Sequence, residues 1–346
     1  MNSILKKSLY SLLVLPGVVA LVFIMFQSFG DPAKLMLGQS ADKKTTENIR
    51  RELHLDQPKW KQFLLYANDI SPIAFHSEEE IKAKGLKGFF FGGKTKLAIK
   101  VPYLGKSYRT KKNTTDILMD ALPATLVLAS AAMLFACIFG ILLGVLAAVK
   151  KDKAADLIAV TGSIAGISAP SFFIAIIIAY IFGYILHDYT GLNITGSLFA
   201  IDEVTGEKYL MLKNLILPAI TLGIRPLAII TQLTRSSMLD TLQQDFIRTA
   251  YAKGLSKRAV VFNHALRNAL NPVITAVTGW FAELLAGAFF IEYIFGWNGI
   301  GKITVDALGN LDYPVVAGAV LLSAVIFVFI NILSDIAYRL ADPRIK

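Results

Sequence analysis

Residues 240–272 read DTLQQDFIRTAYAKGLSKRAVVFNHALRNALNP, a polar and basic stretch that lies between two long apolar spans of this chain. The stretch contains five Lys and Arg side chains but only two acidic ones, Asp240 and Asp245. Basic loops beside membrane spans are retained on the cytoplasmic side by the positive-inside bias. We therefore interpret it as a cytoplasmic loop that docks a partner, with a solvated amphipathic loop without a partner as the alternative.

Local signals within this loop predict a helix, a break and a second helix. Residues 245–253 can form a short helix, which Gly254 would end in the left-handed conformation. Ser256 can cap the next helix, because its hydroxyl accepts a hydrogen bond from a free backbone N–H group. Two short helices joined by a glycine turn would form a compact docking element.

The composition of the 346 residues is that of a membrane protein, with 55% hydrophobic and 17% charged residues. Because lipid offers no hydrogen-bond partners to the backbone, spans of about 20 apolar residues are predicted to be helices. The sequence therefore predicts an all-α polytopic protein with six transmembrane helices. The predicted spans are Leu9–Phe29, Leu122–Val149, Leu157–Leu186, Leu215–Leu239, Val273–Phe295 and Val315–Tyr338.

Positive charges that flank the spans predict the side of the bilayer on which each connection lies. Lys and Arg cluster before the first span, between the second and third, and after the sixth, which places both termini in the cytoplasm. Residues 30–115 are also basic but are assigned outside, because a long segment crosses the membrane largely regardless of its charge. The predicted organisation is an N-terminal helix (1–29), an extracytoplasmic segment (30–115) and a five-helix core (116–346).

Other classes of function receive little support from the sequence. Much of the net charge of +10 lies in the outer segment and at membrane edges, so nucleic-acid binding is not expected. The single cysteine, Cys137, and four scattered histidines provide no disulfide, metal cluster or catalytic constellation. The first span is too long for a cleaved signal and is interpreted as an anchor helix. The chain is expected to bind no cofactor or metal and to catalyse no covalent reaction.

Residues 88–95, GFFFGGKT, satisfy the expression for a phosphate-binding loop literally. A working phosphate loop follows a buried strand, opens a helix and needs a magnesium-binding Asp on another strand. The residues that precede it, SEEEIKAKGLK from Ser77, are charged, and the predicted topology places the segment outside the cytoplasm. We interpret residues 88–95 as a glycine-rich surface loop rather than a nucleotide site.

The 240–272 loop resembles the coupling segment of ABC importer permeases, whose signature is EAA, three residues, then Gly. Here Arg248-Thr249-Ala250 replaces EAA, and Gly254 follows at the right distance. The stretch RTAYAKGLS followed by HALRNAL is similar to the variant in the dipeptide and oligopeptide permease subfamily. Further blocks in the same order are DPAKLMLGQSA (from Asp31), HLDQP (His54), YLGKSY (Tyr103), DILMDALPATLVLA (Asp116), LPAITLG (Leu217), LTRSSML (Leu233), IEYIFGWNGIG (Ile291) and ADPRIK (Ala341).

Three features depart from the family pattern. His54 stands where Gly is expected, and Asn298 stands where Pro usually precedes the Gly. Residues 71–101 form an insertion without a counterpart in the short outer segment that the resemblance implies. The departures leave the class unchanged, but the fold of the insertion is not predicted.

The resemblance implies a type I ABC importer permease fold in a bacterial inner membrane. It also implies the partners: a second permease, as a heterodimer or an identical copy, two cytoplasmic ATPases that bind ATP and Mg²⁺, and an extracytoplasmic solute-binding protein. In the coupling segment, Ala250 and Gly254 would let the short helix lie close in an ATPase groove. Arg248 and Lys253 are expected to make polar contacts with the ATPase, and Leu255 an apolar contact. Thr249 occupies the middle of the EAA position.

Charged residues inside the spans are candidates for the translocation path, because a charge near the bilayer centre is costly. Arg225 and Glu283 fall near mid-membrane, where they can form an ion pair, line the path, or both. Glu292 belongs to IEYIFGWNGIG, which the resemblance places at an outer gate; a Glu exposed to headgroup water is the alternative. Pro170, Pro218 and Pro226 would permit bends in the third and fourth helices.

The substrate implied by the resemblance is a di- or oligopeptide. Relatives of this kind also carry nickel chelates, opine-like compounds or sugars, and these remain open alternatives. From other classes, a secondary transporter would need no ATPase and would often show inverted repeats, and a channel would show a pore loop or charged ring. A membrane enzyme would require clustered ionisable residues on the spans. We see none of these patterns in the sequence.

Overall fold

The computed structural model describes residues 2–28, 47, 50–51, 54–201 and 205–341. Within these residues the chain is mostly helical. The longer helices are α1 (Asn2–Ser28), α2 (Lys59–Ile70), α3 (Glu78–Lys84), α4 (Thr114–Val149), α5 (Ala154–Ser168), α6 (Ser171–Tyr180), α8 (Lys213–Leu242), α9 (Asp245–Ala252), α11 (Arg267–Gly287), α12 (Phe289–Ile294), α13 (Ile300–Gly309) and α14 (Tyr313–Ala341). Shorter elements are α7 (His187–Thr190), α10 (Lys257–Ala259), β1 (Ile73–Ser77), β2 (Gly88–Gly92), β3 (Thr95–Lys100), β4 (Phe199–Ile201) and β5 (Lys208–Leu210).

Three described helices are long and apolar enough to cross a membrane: α4, α8 and Tyr313–Ser334 of α14. A fourth candidate consists of α5 and of α6 extended by a π-helical turn to Ile185. The axes of these two segments differ by 108° at the break between Ser168 and Ser171. Leu13–Gln27 of α1 is a shorter apolar helix. The mostly helical membrane fold is thus confirmed, whereas the count of six spans stays a prediction.

The prolines in the predicted spans have different effects. Pro170 lies between α5 and α6, where its ring and missing N–H group end one helix and start another. The predicted third span, Leu157–Leu186, is therefore a sharply bent pair rather than one helix. Pro218 and Pro226 lie inside α8, which continues through both.

The fifth predicted span, Val273–Phe295, is also interrupted. Helix α11 ends at Gly287, and α12 begins at Phe289 after Ala288, whose backbone leaves the helical conformation. The predicted end of the first span at Phe29 and the family block from Asp31 lie outside the described residues, as do residues 342–346.

The chain forms two compact units. One contains residues 123–302 with the chain ends 1–8 and 326–346, and the other contains residues 9–122 with 303–325. The core of the first unit surrounds Phe295 and Trp297, which are fully buried among side chains of α4, α8 and α11. The second unit joins α1, α14 and α2 around Val22, Ala317 and Leu321.

The second unit holds a small module, Lys59–Lys100, that accounts for the unpredicted insertion at 71–101. Strands β1, β3 and β2 form an antiparallel sheet in that spatial order. Ala74, His76 and Ala98 are buried on one face of the sheet, and Ser77 begins α3 with a capping box to Glu80. Residues 59–100 therefore form a folded module of helices and antiparallel strands rather than an all-α element.

Polar groups tie the sheet of the module to α2. The Lys100 amino group donates to the backbone carbonyl of Asp69, and burial lowers the pKa of Lys100 to about 8. Lys84 donates to both carboxylate oxygens of Asp69, at 2.6 and 2.7 Å. Asp69 thus connects α2 to both α3 and β3.

The GFFFGGKT stretch is a β-hairpin. Residues Gly88–Gly92 form β2, the chain turns at Gly93 and Lys94, and β3 begins at Thr95. A phosphate loop requires a helix after its Lys, and here an antiparallel strand follows. The geometry agrees with the sequence interpretation of a surface turn.

His54, which departs from the family glycine, has a backbone φ of +54°. This is the left-handed region that glycine adopts without steric cost. The resemblance therefore identified a position whose backbone favours Gly, although the side chain here is His.

Candidate docking element and charged cavity

The predicted helix, break and helix is present at residues 245–259. Helix α9 spans Asp245–Ala252, Gly254 adopts a left-handed φ of +80°, and α10 begins after Ser256. The Ser256 hydroxyl accepts a hydrogen bond from the Ala259 N–H group at 3.4 Å. The local boundary signals therefore predicted this element correctly.

Helix α9 is held to the chain by its apolar side. Ile247 and Ala250 are buried against a core cluster of the same chain that includes Val145, Met238 and Val260. Ala250 is only 5% exposed, so its side chain lies against this chain and not on the exposed side of α9, and the close fit of α9 in an ATPase groove stays a prediction. Its small side chain instead allows α9 to pack closely on the chain's own helices.

The opposite side of α9 and the turn are exposed. Arg248, Thr249, Lys253, Gly254 and Leu255 are all exposed, as the sequence interpretation requires of docking residues. Two exposed aromatic residues that we did not single out, Phe246 and Tyr251, lie on the same helix. The sequence could have indicated them, because the helical period places Phe246 and Tyr251 away from the buried side formed by Ile247 and Ala250.

Arg225 and Glu283 line one cavity of about 90 Å³ between α8, α11 and the α5–α6 bend. No salt bridge joins them within the described residues, so the ion-pair alternative is not what the structure shows. The Arg225 guanidinium instead lies 5.8 Å from the ring centroid of Trp280, a cation–π contact. Both charged side chains are exposed in the single chain and accessible from this cavity.

Glu292 has a different environment from Arg225 and Glu283. It is 0% exposed, and its carboxylate accepts hydrogen bonds from the Thr125 hydroxyl at 2.7 Å and from the Gly301 N–H group at 2.7 Å. The Lys302 N–H group donates at 3.2 Å. Glu292 therefore connects α12, α13 and α4, and the alternative of exposure to headgroup water is wrong.

Glycines make room for the Glu292 carboxylate. A Cβ atom on Gly299 would lie 2.4 Å from the nearer Glu292 carboxylate oxygen, and one on Gly301 would lie 2.6 Å from Phe289 Cα. Trp297 is also fully buried, and its indole N–H donates to the Ala124 carbonyl at 2.9 Å. Trp297 is therefore a core residue of the first unit.

An ion pair that we did not predict joins α5 to α8. Arg235 donates to both carboxylate oxygens of Asp156, at 2.5 and 2.7 Å, and Asp156 is buried. Asp156 also accepts from the Asp152 N–H group at 3.0 Å. The sequence did contain a signal for this ion pair: Arg235 lies inside LTRSSML, ten residues after Arg225, on the same predicted apolar span.

Metal coordination finds no support in the described part of the chain, where no group of three or more His, Cys, Asp and Glu side chains could hold an ion. Long apolar helices, an exposed helix and glycine turn, and a charged cavity together are features expected of a membrane transport subunit. This defines the class of the protein.

The chain belongs to the family described as binding-protein-dependent transport system inner membrane component, which matches residues 140–346. The corresponding N-terminal family, described as a binding-protein-dependent transport system membrane component, matches residues 1–129. It is an ABC importer permease of the dipeptide and oligopeptide permease family, and a protein of the bacterial inner membrane. The resemblance inferred from the loop and the blocks is thereby confirmed.

The chain is similar over nearly its full length to permease proteins of peptide and glutathione transport systems. The di/tripeptide transport system permease protein DppB of Pseudomonas aeruginosa is 37% identical, over 95% of this chain and 94% of that protein. The dipeptide transport system permease protein DppB of Alkalihalophilus pseudofirmus is 33% identical, over 97% of both chains. The glutathione transport system permease protein GsiC of Escherichia coli K12 is 31% identical, over 100% of this chain and 99% of that protein.

A solved structure supports the fold. A chain from inward-facing conformations of the MetNI methionine ABC transporter superposes with a TM-score of 0.51 at 18% identity. The match covers 66% of this chain and 97% of the other. It supports the type I permease architecture, whereas the remaining third of this chain has no counterpart in that structure.

Proposed function

We propose that this chain and a second permease form the translocation path for di- or oligopeptides that a solute-binding protein delivers. The observation that carries the substrate class is the 37% identity to a di/tripeptide permease over nearly the full length of both chains. The second DppB relative and GsiC also carry names of small peptides. A paralogous second permease, two ATPase subunits and the binding protein complete the proposed assembly.

The proposed energy input enters through α9 and the Gly254 turn. ATP and Mg²⁺ bind to the partner ATPases, and this chain contributes no cofactor site and no catalytic residue. The buried Ile247–Ala250 side anchors α9 to the chain, and the exposed side with Arg248, Lys253 and Leu255 contacts the ATPase. A rigid attachment of this kind would transmit ATPase movement to α4 and α8, because their side chains form the cluster beneath α9.

The cavity lined by Arg225 and Glu283 is proposed to open on the path. A peptide carries a positive amino terminus and a negative carboxyl terminus, which these two side chains complement in sign. Because Arg225 and Glu283 are not paired with each other, both charges are free to bind a substrate. In the proposed topology both termini and residues 240–272 are cytoplasmic, six helices cross the membrane, and the Lys59–Lys100 module lies outside.

The assembly is tested by purifying the tagged chain in mild detergent, identifying the accompanying proteins by mass spectrometry and assaying ATPase activity. The expected result is a second permease and ATPase subunits, with hydrolysis stimulated by a peptide-loaded binding protein. Recovery of the chain alone, with uptake intact in vesicles that lack ATP, would contradict the proposal. Competition with unlabelled dipeptides and with a nickel chelate then distinguishes the two substrate classes.

Neutralising the cavity charges is expected to weaken peptide handling. Glu283→Gln and Arg225→Gln should each raise the KM for peptide uptake about tenfold, which corresponds to about 1.4 kcal/mol of lost interaction. Because both side chains are exposed, the thermal stability of the complex should remain unchanged. The measurement is uptake kinetics in proteoliposomes, with Glu207→Gln in the β4–β5 hairpin as the exposed control. An unchanged KM in both variants would remove these residues from the path.

A further inference from the structure

The sheet of the Lys59–Lys100 module has two edges, and only one of them is capped by a neighbouring side chain. Strand β1 forms one edge, where Phe75 directs its N–H and carbonyl groups outward. The Asn68 side chain satisfies both: its amide oxygen accepts from the Phe75 N–H group at 3.1 Å, and its NH₂ group donates to the Phe75 carbonyl at 2.9 Å. Edges protected in this manner do not pair with other strands.

Strand β2 forms the opposite edge, and the hydrogen-bond register shows which of its groups point outward. The Val101 N–H group donates to the Lys87 carbonyl, so residue 87 belongs to a hydrogen-bonded pair. Such pairs recur at every second residue, so Phe89 and Phe91 direct their backbone groups toward β3. Gly88, Phe90 and Gly92 therefore direct theirs outward, where no strand of the described chain pairs with them.

Strand β2 itself lacks two of the features that prevent edge pairing, charged side chains and proline. Its sequence, GFFFG, contains no charge and no proline. One side of the sheet is also apolar across all three strands: Ile73, Phe75, Leu97, Ile99, Phe89 and Phe91 are all exposed there. Phe89 and Phe91 are 72% and 57% exposed. The edge and the apolar face together mark an interaction surface.

Between lipid and protein, the open edge favours a polypeptide strand as the occupant. Lipid could cover the aromatic side chains, but hydrocarbon cannot satisfy the outward N–H and carbonyl groups of residues 88, 90 and 92. A strand added to the sheet satisfies these backbone groups and covers Phe89 and Phe91 with its own alternate side chains.

We propose that β2 pairs antiparallel with β2 of a second copy of this chain, with Phe90 opposite Phe90. In this register the strand is self-complementary, because GFFFG reads identically in both directions and so opposes Gly to Gly and Phe to Phe. In this register the outward groups of Gly88 meet those of Gly92 in the partner, and the two Phe90 residues meet each other. Residues 88, 90 and 92 then all lie in hydrogen-bonded pairs. A shift of the register in either direction would leave at least one of these three residues without a partner in the other strand.

Side chains in this register are also compatible. Phe89 lies opposite Phe91 of the second copy on the apolar face, and aromatic cross-strand pairs stabilise antiparallel sheets. No like charges are opposed, because the five residues carry none. Anchoring in one membrane raises the effective concentration of the two modules, which compensates for the short length of the strand.

Register-specific disulfide formation tests the pairing in the full-length chain in native membranes. In a Cys137→Ala background, Phe90→Cys alone should form a disulfide-linked dimer, because the opposed Cα atoms lie about 5.5 Å apart. Phe89→Cys and Phe91→Cys chains, co-expressed with different tags, should link to each other. Phe89→Cys alone should not link, because position 89 of the second copy lies on the diagonal, beyond the reach of a disulfide.

A charge on the strand edge provides the second variant. Adding Phe90→Lys to the Phe89→Cys and Phe91→Cys pair opposes two like charges and should abolish their link, while the bonds to β3 remain. The proposal would be overturned if no position gave dimers, or if Phe89→Cys alone formed dimers as efficiently as the Phe89→Cys and Phe91→Cys pair. A disulfide to a different polypeptide would also overturn it. The pairing joins two assemblies, each of which contains one copy of this chain beside the proposed second permease. The disulfide is read without transport, so this result is independent of the proposed substrate.

Discussion

Glu292→Ala is expected to destabilise the permease strongly. Removal of the carboxylate leaves the Thr125 hydroxyl and the Gly301 and Lys302 N–H groups without their acceptor in a fully buried position. Unsatisfied buried donors cost about 1–3 kcal/mol each, so the loss should be on the order of several kcal/mol. The thermal unfolding temperature of the purified complex measures this loss, and uptake should fall with the yield of assembled transporter.

Two further variants test whether Glu292 has a structural role or lines the translocation path. Gly299→Ala leaves the carboxylate in place but would put a Cβ 2.4 Å from it, so it should also destabilise the complex. Glu292→Gln keeps the shape and one acceptor oxygen, so it should be milder than Glu292→Ala. Glu207→Ala, on the exposed β4–β5 hairpin, is the control and should have no effect. Normal stability in Glu292→Ala with a raised KM for peptide would instead make Glu292 a path residue.

The helices that the sequence predicted most accurately are those with an uninterrupted apolar pattern. Leu122–Val149 and Leu215–Leu239 lie within α4 and α8, and the helix and glycine turn at 245–256 matches its boundary signals. Composition does not report where an apolar segment breaks. Pro170 did indicate a bend in the third span, but the 108° angle of that bend and the break at Ala288 are visible only in the structure.

The functional residues show the same division. Local signals located the docking element, but they could not show that Ala250 faces the chain's own core, because that side depends on how α9 packs against Val145 and Met238. Likewise, Arg225 and Glu283 were recognised as charges within apolar spans, whereas their separation within one cavity depends on helix positions. The Asp156–Arg235 pair was missed because its partners lie 79 residues apart.

The 54–115 region combines a block that the family resemblance recognised with a sheet that it did not. Ser107 donates to the Asp312 carboxylate at 2.5 Å, and the Tyr108 N–H group donates to the same side chain at 2.9 Å. These contacts anchor the YLGKSY block, which the resemblance identified. The preceding sheet was not recognised, because short alternating strands rich in Phe and Lys give a weaker signal than a family block.

Gly254→Arg is expected to reduce peptide uptake by more than tenfold while the protein remains inserted and the ATPases remain active. Gly254 has a φ of +80°, where an L-residue is strained by about 1–2 kcal/mol. A Cβ atom there would meet no heavy atom of this chain within 4 Å, so the added side chain projects into open space rather than into the turn. The loss should therefore come mainly from the contact with an ATPase subunit.

Gly85 provides a matched control for this variant. It ends α3 with a φ of +62°, and a Cβ there also meets nothing within 4 Å, but it lies in the module rather than in the docking element. Gly85→Arg carries comparable backbone strain and should leave uptake coupled to hydrolysis. Gly254→Asn, which tolerates the left-handed conformation and adds a small side chain, should be intermediate. If Gly85→Arg uncoupled transport as strongly as Gly254→Arg, the effect would be general destabilisation, and the docking role of the Gly254 turn would fail.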